Sequence, residues 1–509
     1  MSLFRTKSLD TLLAQAADSE KSLKRTLGAG SLIALGIGAI IGAGLFVRTA
    51  AAAGGSAGPA VTVSFLIAAI GCAFAGLCYA EFAAMIPIAG SAYTYAYTTM
   101  GELIAWIIGW ALILEYALGA ATVSIAWSEF LNKLLNGAIP YEWCHSPFQS
   151  ALDANNVMHH GIINVPSLFV LLLISLLLIK GTQESALVNA VIVFIKVAIV
   201  LTFIFIGWKF INPSNHSPYF IPANQPDAIQ EDGSFYSYKS IFNHGWGGVL
   251  RGAAIVFFAF IGFDAVSTAA QEAKNPKKDM PIGILVSLLI CTILYVLFSW
   301  VLTGVAPFTD FVKAGKEASV AYAIETYMHG YDWLAKLVTV GILAGFSSVI
   351  LVMLMGQSRV FYSMAHDGLL PKIFSEVHPK FRTPYKSNIL LFLFVGAFAT
   401  LIPGDITGSL TSIGTLLAFV LVCVGVMIMR KNDPGRERPF KTPWVPVVPI
   451  LGILVCAAMI ISLDRTTQTV ALLWMILGLL IYFGYSRSHS KLKTGGEILP
   501  HASDFEKRL

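Results

Sequence analysis

GIGAIIGAGLF, Gly36 to Phe46 in the first apolar segment, holds four glycines in eleven residues. Lipid offers no water to pair a backbone N–H or C=O, so a membrane segment stays helical unless protein or a cavity satisfies its backbone. Glycine reaches backbone angles that other residues avoid, and four so close together favour a break. A helix broken there presents free amides and an N-terminus of partial positive charge, a seat for a carboxylate. A second unusual stretch, FFAFIGFDAVST from Phe257 to Thr268, falls in the sixth apolar segment, with one glycine, an aspartate and a Ser/Thr pair. Singly, either stretch reads equally well as a small-residue face for close helix packing. As a pair, five segments apart, they point to two discontinuous helices at matching places in two repeats, with a binding site near mid-membrane.

Outward from these stretches the chain is apolar almost throughout. Its 509 residues are 56% hydrophobic and 12% charged, whereas soluble domains carry about 25% charged residues. This is the composition of a polytopic membrane protein, whose domain count cannot be read from length. An amphipathic N-terminal piece at 8–25 precedes twelve apolar segments: 28–53, 58–86, 101–131, 164–181, 185–211, 247–271, 281–306, 333–364, 386–402, 406–429, 445–462 and 468–486. Each can cross ~30 Å of hydrocarbon as a helix, which takes about 20 residues. The third and eighth are long enough to tilt. The expected division is an N-terminal segment, 1–27, a twelve-helix domain, 28–486, and a C-terminal tail, 487–509. The loops 132–163 and 212–246, with Pro, Asn, Ser and aromatic residues, read as ordered surface loops.

Basic residues set the orientation. Twelve spans put both termini on one side. Most of the 34 Lys and Arg collect there, among them Arg5, Lys7, Lys24, Arg25, Lys277, Lys278, Lys372, Lys386, Arg430, Lys431, Arg436, Arg438 and Lys491. Both termini are therefore expected in the cytoplasm of a cell enclosed by the plasma or inner membrane, with the two long loops outside. The basic residues behind the net charge of +5 sit in particular loops, so that charge is no sign of nucleic acid. Of six cysteines only Cys144 lies in a long loop, so no disulfide framework is implied. The polar, basic N-terminus reads as no cleavable signal peptide.

Four stretches carry a resemblance. LKRTLGAGSLIALGIGAIIGAGLFV, from Leu23, resembles the first helix of the amino acid–polyamine–organocation superfamily. Residues 257–289, 356–388 and 438–455 resemble the cationic amino acid transporter family at the sixth to seventh helices, the loop after the eighth and the approach to the eleventh. Eukaryotic members of that family have fourteen spans; twelve place the likeness with its bacterial branch, whose substrates are broader, cationic and/or small neutral amino acids. Twelve spans alone also suit the major facilitator fold, but the link after the sixth segment, 272–280, is too short for it.

The resemblance implies an all-α polytopic membrane protein of the leucine-transporter fold: 12 transmembrane helices, a 5+5 inverted repeat plus two, with helices 1 and 6 broken. The substrate carboxylate would meet the amides of Gly42, Ala43 and Gly44. Its ammonium would meet carbonyls of Ile40, Phe258, Ala259 and Ile261. Backbone alone can satisfy both charges of a zwitterion. Phe258 takes the family's aromatic gate position, or is a core aromatic.

Ionisable residues inside a membrane are costly and therefore suspect. Lys196 lies mid-way in NAVIVFIKVAIVL of the fifth segment, too central to snorkel. A buried ammonium must find partners or give up its proton. In proton-coupled members of the superfamily a fifth-helix lysine fills the place where sodium binds in sodium-coupled relatives, and Lys196 matches it by segment and depth. Its expected partners are first-helix carbonyls near Gly38 and Ile41. The plainer alternative is a structural ammonium tying helix ends. Ser347 and Ser348 match the eighth helix's part of that sodium site. Glu115, in GWALILEYALG, either faces the substrate cavity to receive a basic side chain or a proton, or pairs with a residue such as Lys196. Glu102 matches an acid of the family's GEL motif or caps its helix. Asp264 is read as anchoring the broken sixth helix through backbone N–H groups, Glu81 as packing or pairing, and Arg251 as pairing with an acid at an outer vestibule.

Cys144, His145, His159 and His160 match no standard metal spacing. P-loop, HExxH and GxSxG are absent, so no enzyme and no cofactor is implied. The reading that follows is a proton-coupled amino acid symporter in a lipid bilayer, with an uncoupled amino acid exchanger as alternative. An intramembrane enzyme or an amino acid-sensing receptor is the alternative of another class, and tails of about 25 residues leave it no signalling domain. A small single-span partner subunit is left open.

Overall fold

The computed structural model describes residues 5–7, 27–42, 44–86, 91–152, 157–180, 185–230, 233–268, 270, 273–314, 319–379, 381 and 383–494. The amphipathic piece expected at 8–25 and most of the C-terminal tail lie outside the described residues. Among the described residues seven helices are long and apolar enough to cross a membrane: Gly44–Met85, Glu102–Leu134, Ala190–Phe210, Pro276–Val305, Asp332–His366, Ile406–Asn432 and Arg465–His489. Five shorter apolar helices, Ala29–Ile40, Val165–Lys180, Gly245–Phe260, Tyr385–Leu401 and Val447–Ser462, are interspersed among them. The molecule is a multi-pass, mostly helical membrane protein.

The α-helices used below are α1 Ala29–Ile40, α2 Val61–Met85, α3 Ser91–Thr99, α4 Glu102–Leu134, α5 Val165–Lys180, α6 Ser185–Gly207, α7 Gly245–Val256, α8 Ala265–Thr268, α9 Pro276–Val305, α10 Phe308–Ala314, α11 Val320–Tyr327, α12 Asp332–His366, α13 Tyr385–Leu401 and α14 Gly404–Asn432. After α1, Ile41 is extended (ψ 106°). Helical backbone resumes as π turns, Gly44–Arg48, followed by one α turn, Thr49–Ala52, and a second π stretch, Ala53–Ala57. Gly58, at φ 63°, then turns the chain into α2. Likewise α7 tightens into a 3-10 turn, Phe257–Phe260, Ile261 is extended (ψ 134°) and Gly262 takes φ 112° before α8. That φ is open to glycine and strained for any other residue here.

α4 packs along α12 and α14, and α9 along α1 and α2. Small residues allow this close approach. A Cβ added at Gly36 would lie 2.4 Å from Ser287 Oγ, and one at Gly283 2.7 Å from Leu32 Cβ. The described parts of the two long loops each add a two-stranded antiparallel sheet that an all-α reading lacks. Ser150–Leu152 pairs with Met158–His160, and Ala228–Ile229 with Phe235–Tyr236. Outside the apolar segments a short hairpin is enough to pair a loop's backbone.

Candidate functional site

Lys196 is 1% exposed, mid-way along α6. Its Nζ donates to the carbonyls of Gly38 at 2.7 Å and Ile41 at 2.8 Å, and to Ser348 Oγ at 3.0 Å. An ammonium has three N–H donors, and here each meets an oxygen. The two carbonyls can accept because α1 stops at Ile40, which leaves its last turn short of amides. One nitrogen thus joins the end of α1 to α6 and α12. Gly345 of α12 makes room, since a Cβ there would lie 2.7 Å from Lys196 Cδ. Ser348 Oγ donates onward to Gly345 O at 2.8 Å, while Ser347 turns to its own helix at Leu343 O, 2.9 Å.

The two irregular stretches touch. A Cβ on Gly44 would fall 2.2 Å from Ala259 Cα and 2.5 Å from its N. One on Gly262 would fall 2.9 Å from Ala39 O, and one on Gly42 would meet Val349 Cγ2 at 2.9 Å. Ala43 lies outside the described residues. Between the two stretches stands Tyr295 of α9, fully buried, whose hydroxyl donates to Ile40 O at 2.9 Å and Ala259 O at 2.8 Å. Of the other carbonyls expected to take an ammonium, that of Phe258 accepts from Ile261 N at 3.4 Å. Ile261 itself is buried. Phe258 is 4% exposed and forms part of the wall of a cavity of about 390 Å³ beside the two long loops, together with Arg48, Glu129, Arg251, Phe311 and Asp464. The Arg48 guanidinium lies 5.7 Å from the centre of the Phe258 ring.

Glu115 is fully buried, and neither carboxyl oxygen has a hydrogen-bond partner among the described residues. Asp264 and Thr415 of α14 are its polar neighbours, short of hydrogen-bond geometry. The expected alternative of a Glu115–Lys196 pair fails, because all three Lys196 donors are engaged elsewhere. The Asp264 carboxyl accepts from the hydroxyl of Tyr116, one residue on from Glu115. Arg251 bonds not an acid but Asn243 Oδ1, at 2.7 Å. Glu102 stands in the first turn of α4, where a negative charge suits the helix N-terminus, and its carboxylate accepts from Tyr97 at 3.3 Å, Tyr482 at 3.1 Å and Ser490. Glu81 pairs, as one of its two readings had it, with Arg430 (2.7 Å) and Arg438 (3.4 Å), and also accepts from Thr442 N. In the outer loop His159 bonds Glu142 and His145 bonds Tyr141 O. Reading the chain for ionisable groups passed over Tyr295; the signal was there, a hydroxyl in the middle of CTILYVLFSW, which must find an acceptor in an apolar helix.

Residues 27–483 match the profile of a family described as amino acid permease. The chain belongs to that family. Among the permease's relatives, the branched-chain amino acid permease BcaP of Bacillus subtilis is 45% identical over 494 residues, 96% of this chain and 99% of the relative. The methylthioribose transporter of the same organism is 40% identical over 491 residues, 96% and 99% of the two chains. The vacuolar cationic amino acid transporter 4 of Arabidopsis thaliana is 34% identical over 434 residues, 85% of this chain and 68% of the relative. These are permeases and transporters by name, not enzymes, and the resemblance read from the motifs holds.

Proposed function

We propose that this permease is a secondary active transporter of L-amino acids, coupled to protons in symport and working by alternating access across the plasma membrane. Joining α1 to residues 44–57, and residues 245–260 to α8, as two discontinuous helices makes twelve spans: a 5+5 inverted repeat with two helices trailing. Both termini then face the cytoplasm. The substrate lies between the discontinuities, its carboxylate on the amides of Gly42, Ala43 and Gly44 and its ammonium at the carbonyls of Ile40, Phe258, Ala259 and Ile261. Phe258, between this site and the cavity, is the gate.

The observation that carries the reading is the Lys196 ammonium, bonded to the end of α1 and to α12. A charge there holds three helices together. Its proton, once released toward the cytoplasm, frees α1 to move, so one proton is tied to one change of access. The apolar Val349 beside Gly42 supports neutral aliphatic side chains, and the name of the BcaP relative makes branched-chain amino acids the first to try. A cationic substrate would need Glu115. The full set of Lys196 acceptors also favours a second reading, an ammonium that never releases its proton, which would leave a pure exchanger. Uptake of the common amino acids into empty proteoliposomes, with and without an imposed pH gradient, separates the two. Gradient-driven accumulation supports symport; uptake only into preloaded vesicles supports exchange.

A further inference from the structure

We infer that Tyr295 is a third oxygen for the substrate's ammonium and so makes the permease select primary amines over N-alkylated ones. The inference rests on the substrate site proposed above, but its own ground is a single hydroxyl. Tyr295 Oη is 2.9 Å from Ile40 O and 2.8 Å from Ala259 O, with no solvent exposure. A phenol has one proton, so two buried carbonyls share one donor. In a low-dielectric site such partial satisfaction is costly, and a group that brings more donors is favoured.

A primary ammonium brings three. It gives one N–H to each carbonyl and the third to the phenol oxygen. Carbonyl oxygens have two lone pairs each, so the hydroxyl keeps its own bond to one of them while it accepts. The phenol does not swing away, since its ring packs between Phe65, 5.4 Å off, and Phe260, 5.2 Å off, centre to centre. An N-methyl amino acid or proline carries two N–H groups, enough for the two carbonyls but not for the phenol oxygen, and forgoes that third bond. Tyr295 touches substrate in this arrangement and sets specificity through a missing bond, where a clash would set it through shape.

The test uses the full-length protein, purified in detergent, and displacement of labelled L-leucine by L-leucine and by N-methyl-L-leucine; L-alanine and N-methyl-L-alanine replace them where leucine is not bound. Tyr295→Phe keeps the ring and removes only the hydroxyl. Wild type should prefer the primary amine by about tenfold or more, the value of one hydrogen bond to a charged group. Tyr295→Phe should bind the primary amine more weakly and lose most of that preference. An unchanged preference in Tyr295→Phe overturns the inference. So does a wild type that binds both probes alike, whatever the variant does. Gly44→Val separates this from failure of the site itself: if it abolishes binding while Tyr295→Phe changes nothing, the site stands and Tyr295 is only a packing residue. If Gly44→Val binds normally, the site reading falls with it.

Discussion

Gly44→Ala is the smallest change that tests the contact between the two irregular stretches. The new Cβ would stand 2.2 Å from Ala259 Cα, 2.5 Å from its N and 2.7 Å from its Cβ. Comfortable contact needs ~3.5–4.0 Å, so the stretches must part by more than an ångström. The obstacle is mostly backbone and cannot rotate away. Overpacking of this kind costs about 1–3 kcal/mol. Spent on the closed, substrate-bound arrangement, that is about 5- to 150-fold in affinity. Two sister variants calibrate it. Gly42→Ala meets only Val349 Cγ2 at 2.9 Å, which a valine rotation relieves, and Gly30→Ala meets nothing within 4 Å. Gly30→Ala also gains up to about 1 kcal/mol of helix propensity. L-Leucine affinity of the purified variants, with thermal unfolding as the folding check, should fall in the order Gly30, Gly42, Gly44. If Gly44→Ala binds as Gly30→Ala does, the two stretches do not close around a substrate and the reasoning fails.

Other variants test the surrounding parts. Glu81→Ala removes the carboxylate shared by Arg430 and Arg438, leaves Arg438, whose side chain is 5% exposed, with backbone carbonyls alone, and should lower stability by about 3 kcal/mol; a melting temperature within a degree or two of wild type would show the ion pair to be dispensable. Phe258→Ala should cut L-leucine uptake severalfold while unfolding shifts little, because closure over bound substrate excludes water; unchanged uptake and exchange reduce Phe258 to a packing residue. Glu102→Ala removes the acceptor of Tyr97, Tyr482 and Ser490. Hydrogen exchange in residues 482–492 should then rise, and if it does not, backbone contacts such as Lys491 N to Asp367 O, 3.1 Å, hold that segment alone.

What was legible in the chain follows from what a membrane demands of a single segment. Apolar runs end at Pro, Gly and charge, so the fifth segment, expected at 185–211, is observed as Ser185–Gly207 with a 3-10 turn to Phe210. The cost of a buried charge marked Lys196, and its acceptors near Gly38 and Ile41 follow from glycines that end a helix early. Lateral partners were not legible, because they depend on helix rotation and on which segments become neighbours. Glu81 meets Arg430 across 349 residues, and Tyr116 meets Asp264 across 148. No local pattern in either segment encodes those meetings. Glu115 shows the limit from the other side: its burial was readable, its neighbours Asp264 and Thr415 were not. Neutral hydroxyls such as Tyr295 escape a search for charge although the bilayer imposes the same need for a partner on them.

The central claim is that one proton on Lys196 drives accumulation. The direct measurement is L-leucine uptake into proteoliposomes carrying wild type, Lys196→Met or Lys196→Arg, with an imposed inward proton gradient and again after its collapse. Lys196→Met keeps roughly the length and removes the charge; arginine keeps a charge it cannot release. Wild type should concentrate leucine only while the gradient lasts. Both variants should fail to concentrate it, with Lys196→Met retaining measurable binding. Normal gradient-driven accumulation by Lys196→Met would contradict the account and move the proton to Glu115.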